Sequence, residues 1–305
     1  MTIVAGYAPD ERGKEAVHLA AMLARSAGDE LVITSVVPAP WAPGMARIDA
    51  EYRDQLDRYA DRALERAKQA VPDDLPARFV RHSARSAPAG LLEQAEQQGA
   101  DLLVLGSSSA GVFGHVVLGS VTDRLVHSSP ITLAMAPRGF RVGSDARVAR
   151  VTAAYGGSSS AEQLVVAAAY IAAQVGATLR IASFAVWSRP AYTTALGTDS
   201  EDLVLEQWAA QVRKASRSAL AQVHGLATGP PDVELEIGSG PAWEDAIEDI
   251  GWAEGDVLVV GSSELGPVAK VFLGTRATMI LRHSPVPVAV VPRGRAEELA
   301  ERARG

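Results

Sequence analysis

Two glycine- and serine-rich stretches contain the residue types that could hold a phosphate group. Residues 106–120 read GSSSAGVFGHVVLGS, and residues 261–275 read GSSELGPVAKVFLGT. Glycines let the backbone approach a phosphate and point its N–H groups inward. A hydroxyl residue where a helix begins adds donors and a favourable dipole. An ordinary strand-to-helix connection also uses Gly and Ser as turn and cap residues, and the loop chemistry alone favours that simpler explanation.

The candidate ligand-binding residues are the glycines and hydroxyl residues of these two stretches. In the first stretch they are Gly106, Ser107, Ser109, Gly119 and Ser120. The weaker copies in the second stretch are Gly261, Ser262, Gly274 and Thr275.

No arrangement typical of catalysis accompanies these loops. We find no assignable Ser-His-Asp triad and no paired carboxylates, and the six His residues include no His-x-x-x-His pair that would suit zinc. The chain has no Cys, which excludes disulfides, thiolate metal sites, a Cys nucleophile and iron–sulfur clusters. We therefore expect neither an enzyme nor a protein metal site.

The two stretches belong to an internal repeat. Residues 100–108 (ADLLVLGSS) match 255–263 (GDVLVVGSS), and the PRG at 137–139 recurs at 292–294. The repeat predicts two similar domains joined by a linker and followed by a short charged helical tail. Their predicted limits are 1–140, 147–294 and 295–305.

Each half alternates apolar, strand-like runs with amphipathic helical segments. This order predicts two tandem α/β domains of the doubly wound, Rossmann-like type, each with a five-stranded parallel sheet covered by helices on both faces. Ligands of such sheets bind beyond the carboxyl ends of the strands, where the strand order reverses. The loops after Tyr7 and Leu105 should therefore meet, as should those after Tyr155 and Val260.

Three local signals refine this prediction. Ser120 with Asp123, and Ser159 with Glu162, have the spacing of a capping box at a helix start. Pro287 falls in the last apolar run of the second half. Because proline has no N–H for a ladder, we expect that strand at a sheet edge.

The loop spacing resembles the ATP-binding signature of the universal stress protein family, Gly-x2-Gly-x9-Gly-Ser/Thr. The IVAGY start at 3–7 and the final helix-and-strand segments at 121–137 and 276–292 are similar to that family as well. Since the resemblance covers both halves, the chain is identified as a tandem, two-domain member. The family implies that the two domains pair through their last strands, which would make an intrachain pseudo-dimer, with a further homodimer left open.

Two departures from the family pattern concern the nucleotide. The second glycine of the signature is Ser109 in the first half and Glu264 in the second. A glutamate beside a triphosphate would add a repulsion of about 1–4 kcal/mol per charge pair at ~4 Å, which a bound magnesium ion could offset. ATP-binding members usually carry an Asp after the first strand, where this chain has Ala8 and Gly156. We expect the first half to keep the better nucleotide loop.

The resemblance implies a stress-responsive regulatory protein that binds an adenine nucleotide, ATP with or without Mg, mainly through the first half. The alternative is an interaction or structural stress protein that binds no nucleotide, which the residues at the four departing positions, Ser109, Glu264, Ala8 and Gly156, support. An ATP-consuming enzyme is disfavoured because no base or nucleophile accompanies the loops, although slow ATP hydrolysis is compatible with the sequence.

Composition narrows the partners. The chain has 305 residues, 48% of them hydrophobic, which is typical of globular domains. A net charge of -7 argues against a general binder of nucleic acid or anionic membranes. The N-terminus lacks a signal-peptide pattern, and the longest uncharged apolar stretch, 164–173, is about half of the ~20 residues of a membrane span. We expect a cytoplasmic protein with an adenine nucleotide and an unidentified protein as partners.

Overall fold

The computed structural model describes residues 2–8, 13–39, 46–108, 112–186, 198–264 and 271–305. The first half runs through β1 (Thr2–Gly6), α1 (Gly13–Ala27), β2 (Glu30–Pro38), α2 (Ala46–Lys68), β3 (Ala77–Ala84), α3 (Ala87–Gln97), β4 (Leu102–Leu105), α4 (Ser120–Val126) and β5 (Thr132–Met135).

The second half repeats this order and adds a small hairpin and a terminal helix. Its elements are β6 (Arg150–Ala154), α5 (Ser159–Val175), β7 (Thr178–Val186), α6 (Thr198–His224), β8 (Val233–Gly240), α7 (Trp243–Glu248), β9 (Asp256–Gly261), β10 (Ser263–Glu264), β11 (Val271–Phe272), α8 (Thr275–His283), β12 (Val288–Val291) and α9 (Arg293–Arg304).

Ten of these strands form one sheet in the order β3-β2-β1-β4-β5-β12-β9-β6-β7-β8. Within each half the strands are parallel, and the first strand lies between the second and the fourth. The predicted fold class is confirmed. The central strands are apolar on both faces because helices cover both, whereas the outermost strands, β3 and β8, keep charged and partly exposed residues. One core contains residues of α1, α2, α5, α6 and α9, and the other contains residues of α3, α4, α7 and α8.

The two halves join through their last strands as a pseudo-symmetric pair. β5 and β12 are antiparallel, with Ala134 opposite Ala289. The expectation that β12 lies at an edge is wrong, because β12 is hydrogen-bonded to both β5 and β9. The strand begins at Val288, so Pro287 precedes it and needs no N–H for the ladder. The Pro287 carbonyl accepts a hydrogen bond from Leu258 N–H at 2.9 Å.

Both predicted capping boxes are wrong by one residue. The N-cap of α4 is Gly119, which has no side chain for a cap, so Ser120 is already inside the helix. The N-cap of α5 is Ser158, whose Oγ accepts a hydrogen bond from Ala161 N–H at 3.3 Å. The serine run at 158–160 offers several cap candidates for α5, and spacing alone does not choose between them.

The C-terminal helix α9 packs against the second half. Ala300 and Ala303 of α9 form a small buried cluster with Val166 of α5, and Leu299 joins the larger core. The helix therefore has an apolar face under its charged one. In the part of the chain that the structure describes, no helix is long and apolar enough to cross a membrane.

Candidate functional site

Each half has a crevice beyond the carboxyl ends of its first and fourth strands. The crevice of the first half has a volume of about 340 Å³, and that of the second half about 630 Å³. Eight of the nine candidate residues line them: Gly106, Ser107, Gly119 and Ser120 in the first, and Gly261, Ser262, Gly274 and Thr275 in the second. Ser109 lies outside the described residues.

The hydroxyl of Ser107 is engaged by its own loop. Ser107 Oγ donates a hydrogen bond to the Ala136 carbonyl at 2.7 Å and accepts one from Val117 N–H at 3.1 Å. A further bond, from Ser108 N–H to the Val117 carbonyl at 2.9 Å, closes the returning chain onto the loop. Ser107 therefore stabilises the loop after β4, and its hydroxyl is already satisfied by protein.

Tyr7 forms part of the floor of the first crevice. It is 3% exposed, and its N–H donates to the Thr34 carbonyl at 2.9 Å. A Cβ added at Gly13, where α1 begins, would lie 2.5 Å from the Tyr7 ring. The ring thus packs directly against the start of α1, and only glycine fits at position 13. Neither Gly13 nor Thr34 has a sequence signal that marks it as part of a crevice.

Ser262 occupies the position of Ser107 in the second half, and its hydroxyl is different. Its N–H donates to the Val291 carbonyl at 3.0 Å. Its Oγ is buried, with the residue 7% exposed, and has no hydrogen-bond partner among the described residues. A buried hydroxyl without a partner is costly. Since Ser262 lines the larger crevice, a ligand there could supply the missing hydrogen bond.

The rim of the second crevice is open and rich in donors. A Cβ added at Gly156 or Gly157 would meet no atom within 4 Å, and Gly157 has a φ of +79°. Ser158, the N-cap of the 17-residue helix α5, follows directly and lines the crevice. This is the arrangement in which a helix N-terminus and a glycine turn present backbone N–H groups to an anion.

Charged and aromatic side chains complete the second crevice. Arg276, at the start of α8, and Arg293, at the start of α9, both line it. Tyr155, Phe184 and Trp243 add aromatic surface. Burial, and then the nearby charge of Glu162, raise the pKa of Tyr155, so its phenol stays neutral at physiological pH. The two arginines were not among the candidates from the sequence. Arg276 directly follows Gly274 and Thr275, and Arg293 is the arginine of the repeated PRG at 292–294.

The structure describes the backbone of Glu264 only. The backbone of Glu264 pairs with Val271 in the β10–β11 hairpin, and its side chain lies outside what the structure describes. The predicted repulsion of a triphosphate therefore stays a prediction.

Within the described ranges, no group of three or more His, Asp or Glu side chains is placed to hold a metal ion.

Comparison with known proteins adds the family. The family model of the universal stress protein family matches this chain twice, at residues 1–137 and 148–292. Universal stress proteins of Mycobacterium tuberculosis and Mycobacterium bovis are each 36% identical to it over 296 residues, covering 96% of this chain and 100% of the relative. The crystal structure of a universal stress protein from Archaeoglobus fulgidus matches with a TM-score of 0.60 and 18% identity. That match covers 96% of this chain and 98% of the other, and it shows the shared fold.

Proposed function

The chain belongs to the universal stress protein family, and from this premise we propose that it is a stress-responsive regulatory protein that binds an adenine nucleotide, ATP. The observation that carries the proposal is the Ser262 hydroxyl, which is buried in a crevice of about 630 Å³ and has no hydrogen-bond partner among the residues that the structure describes. Ligand pockets of proteins commonly enclose about 300–1,000 Å³.

The geometry favours the second half as the principal site. The first crevice, at about 340 Å³, is near the lower end of the usual range. Its described lining contains no Lys or Arg, and Ser107 already has protein partners. The second crevice has Arg276 and Arg293 at its wall. The preference for the first half rested on Ser109 against Glu264, and the side chains of neither residue are described.

The residues of the second crevice suit the parts of a nucleotide. The Ser262 hydroxyl, in the loop that begins at Gly261, would bond the phosphates, and the start of α8 at Gly274 and Thr275 would add backbone N–H groups and a second hydroxyl. Arg276 would balance the phosphate charge, and so would Arg293 on exchanging its present partner, Glu297 at 2.9 Å, for a phosphate. The aromatic wall would contact the base. A magnesium ion bound with the nucleotide would neutralise part of the triphosphate charge, including its repulsion by Glu264.

The proposed role of the nucleotide is to bind and change the arrangement of the two halves, and any hydrolysis of it would be slow. Because no base or nucleophile accompanies the loops, hydrolysis would contribute little. A bound nucleotide favours whichever arrangement of the two halves it binds more tightly, and a protein partner would recognise that arrangement. The proposal retains the predicted domains at 1–140 and 147–294 with the tail at 295–305, and the expected cytoplasmic location.

A nucleotide-release experiment tests the proposal. The purified full-length chain is heat-denatured, and the supernatant is separated on an anion-exchange column with adenine and guanine nucleotide standards. We expect an adenine nucleotide in the supernatant, or, for protein stripped beforehand, a rise in the melting temperature with excess Mg-ATP. Absence of both results would support the alternative function, a stress protein that interacts with partners and binds no nucleotide.

A further inference from the structure

A third cavity lies where the two halves meet, away from both crevices. We call it the seam cavity; its volume is about 230 Å³, and both halves line it. Ile3 and Leu102 come from β1 and β4, and Val259 and Ala289 come from β9 and β12. The cavity is therefore on the sheet face that α1, α5 and α9 cover.

Small side chains at the centre of the sheet leave this space open. Ala134 and Ala289 face each other across the antiparallel pair that joins the halves, and both line the cavity. Ala289 remains partly exposed although its strand lies between two others. Leu23 of α1 and Ile171 of α5 contribute to the walls. Because it is favourable for apolar surface to leave water, a partly open recess of this volume with largely apolar walls suits an apolar occupant.

The charges at the rim of the seam cavity are paired. Arg295 reaches Asp101 of the first half and also bonds Glu298 at 2.6 Å. Arg302 bonds the same Glu298 at 2.5 Å. A charged ligand would have to break one of these pairs, whereas a neutral one would leave them intact. The apolar walls and the balanced rim therefore favour a neutral, apolar molecule.

We propose that the seam cavity binds a small, neutral, apolar molecule of about the size of indole or octan-1-ol. A cavity of about 150 Å³ lined by aliphatic and aromatic side chains is enough for benzene, and this cavity is about half as large again. The ligand would contact both halves at once and would stabilise their arrangement, since anything that binds only the folded form does so. This inference does not depend on nucleotide binding in the crevices.

The test uses the full-length chain with indole and octan-1-ol as probes. Titration calorimetry should show saturable binding, and methyl NMR spectra should show shifts at Ile3 and Ile171. Ala289→Leu fills the cavity and should weaken both probes at least tenfold. Ala253→Leu, at an exposed position in the second half, is the matched control and should bind the probes as the wild type does. Octanoate and octylamine should bind at least tenfold more weakly than octan-1-ol.

Each other outcome overturns the inference. It fails if neither probe shifts the Ile3 and Ile171 methyl signals up to its solubility limit. It also fails if saturating Mg-ATP displaces the probes, because they would then occupy a nucleotide crevice. If Ala289→Leu does not fold, Ile171→Phe, at a partly exposed wall position, replaces it. Unchanged affinity in the folded filling variant means that the probes bind elsewhere.

Discussion

Ser107 and Ser262 occupy equivalent positions after the fourth strand of each half, and their hydroxyls have opposite environments. Ser107 Oγ lies 2.7 Å from the Ala136 carbonyl that accepts its hydrogen bond. Ser262 Oγ is buried and has no partner within the described part of the chain. The repeat thus contains this serine twice. In the first half its hydroxyl supports the loop, and in the second half its hydroxyl lies in a larger crevice with no described partner.

This difference predicts opposite effects on stability for one substitution made in the two halves. Ser107→Ala should lower the free energy of unfolding by about 1–2 kcal/mol, because Val117 N–H loses its acceptor. Ser262→Ala should raise it by about 1 kcal/mol in ligand-free protein, because an unsatisfied buried hydroxyl is removed. Urea unfolding of the two variants measures both changes.

The same pair of variants separates structure from binding. Ser262→Ala should bind Mg-ATP at least threefold more weakly despite its higher stability, whereas Ser107→Ala should bind it nearly as well as the wild type. Equal losses of affinity in both variants would contradict the assignment of the principal site to the second half.

Glu264 supplies a prediction about charge. Glu264→Gln should tighten Mg-ATP binding about fivefold or more, because a carboxylate next to the triphosphate costs at least about 1 kcal/mol per charge pair. Glu264→Asp keeps the charge and is the control, with little expected change. Binding is measured at low and at 0.5 M salt. If the gain in Glu264→Gln is the same at both, the effect is steric, since added salt would screen a charge effect.

His18 makes stability depend on pH. Burial, followed by the charges of Arg141 and Lys14, lowers the pKa of His18 below its ordinary 6.5. The stability linked to this group is therefore complete above about pH 6.5. Below that pH His18 is protonated in the unfolded chain but stays neutral in the folded one. The free energy of unfolding therefore falls until the pH passes the lowered pKa. Unfolding free energies of the wild type between pH 7.5 and 5.5 should fall more steeply than those of His18→Gln. Parallel curves would mean that His18 has the same pKa in both states.

Arg180, near the start of β7, should be the most sensitive charged position of the second half. It is 0% exposed, donates to the carbonyls of Ile250 at 2.9 Å and Gly251 at 2.8 Å, and lies 4.5 Å over the Trp252 ring. Burial, and then the charge of Arg150, lower its pKa. Arg180→Met should cost about 3–5 kcal/mol of unfolding free energy, the usual result of removing one partner from a buried polar network.

A surface ion pair gives the control for Arg180. Arg78 pairs with Glu30 in the first half, where each side chain is a little under half exposed. Arg78→Met should have a much smaller effect on urea unfolding than Arg180→Met, because water screens exposed pairs. If the two substitutions cost the same, the buried network is not what stabilises this end of the sheet.

The repeat and the apolar periodicity were sufficient to predict the fold and the meeting of the loops. The offset between 100–108 and 255–263 identified the two halves, and apolar runs located the doubly buried strands. Local detail was less predictable where several residues could do the same task. The serines at 158–160 show this, since Ser158 is the cap and the capping box had pointed to Ser159.

Other features depend on contacts that are distant in sequence. The place of Pro287 just before β12 depends on the pairing of β12 with β5 from the other half. The lack of a partner for the Ser262 hydroxyl among the described residues could not be predicted. The same residue type in the first half is satisfied by Ala136, which is 29 positions away. The preference for the first half compared Ser109 with Glu264. The sequence alone gives neither the volumes of the two crevices nor the positions of Arg276 and Arg293 in the wall of the second one.

The most direct test of the central claim is calorimetric titration of nucleotide-stripped protein with Mg-ATP, in the wild type and in two matched variants. Gly119→Val and Gly274→Val place the same side chain at equivalent positions of the two loops. We expect one tight site per chain in the wild type, retained in Gly119→Val and lost in Gly274→Val. Loss of binding in Gly119→Val with unchanged binding in Gly274→Val would contradict the second-half assignment. No heat in the wild type, together with no thermal shift, would contradict nucleotide binding itself.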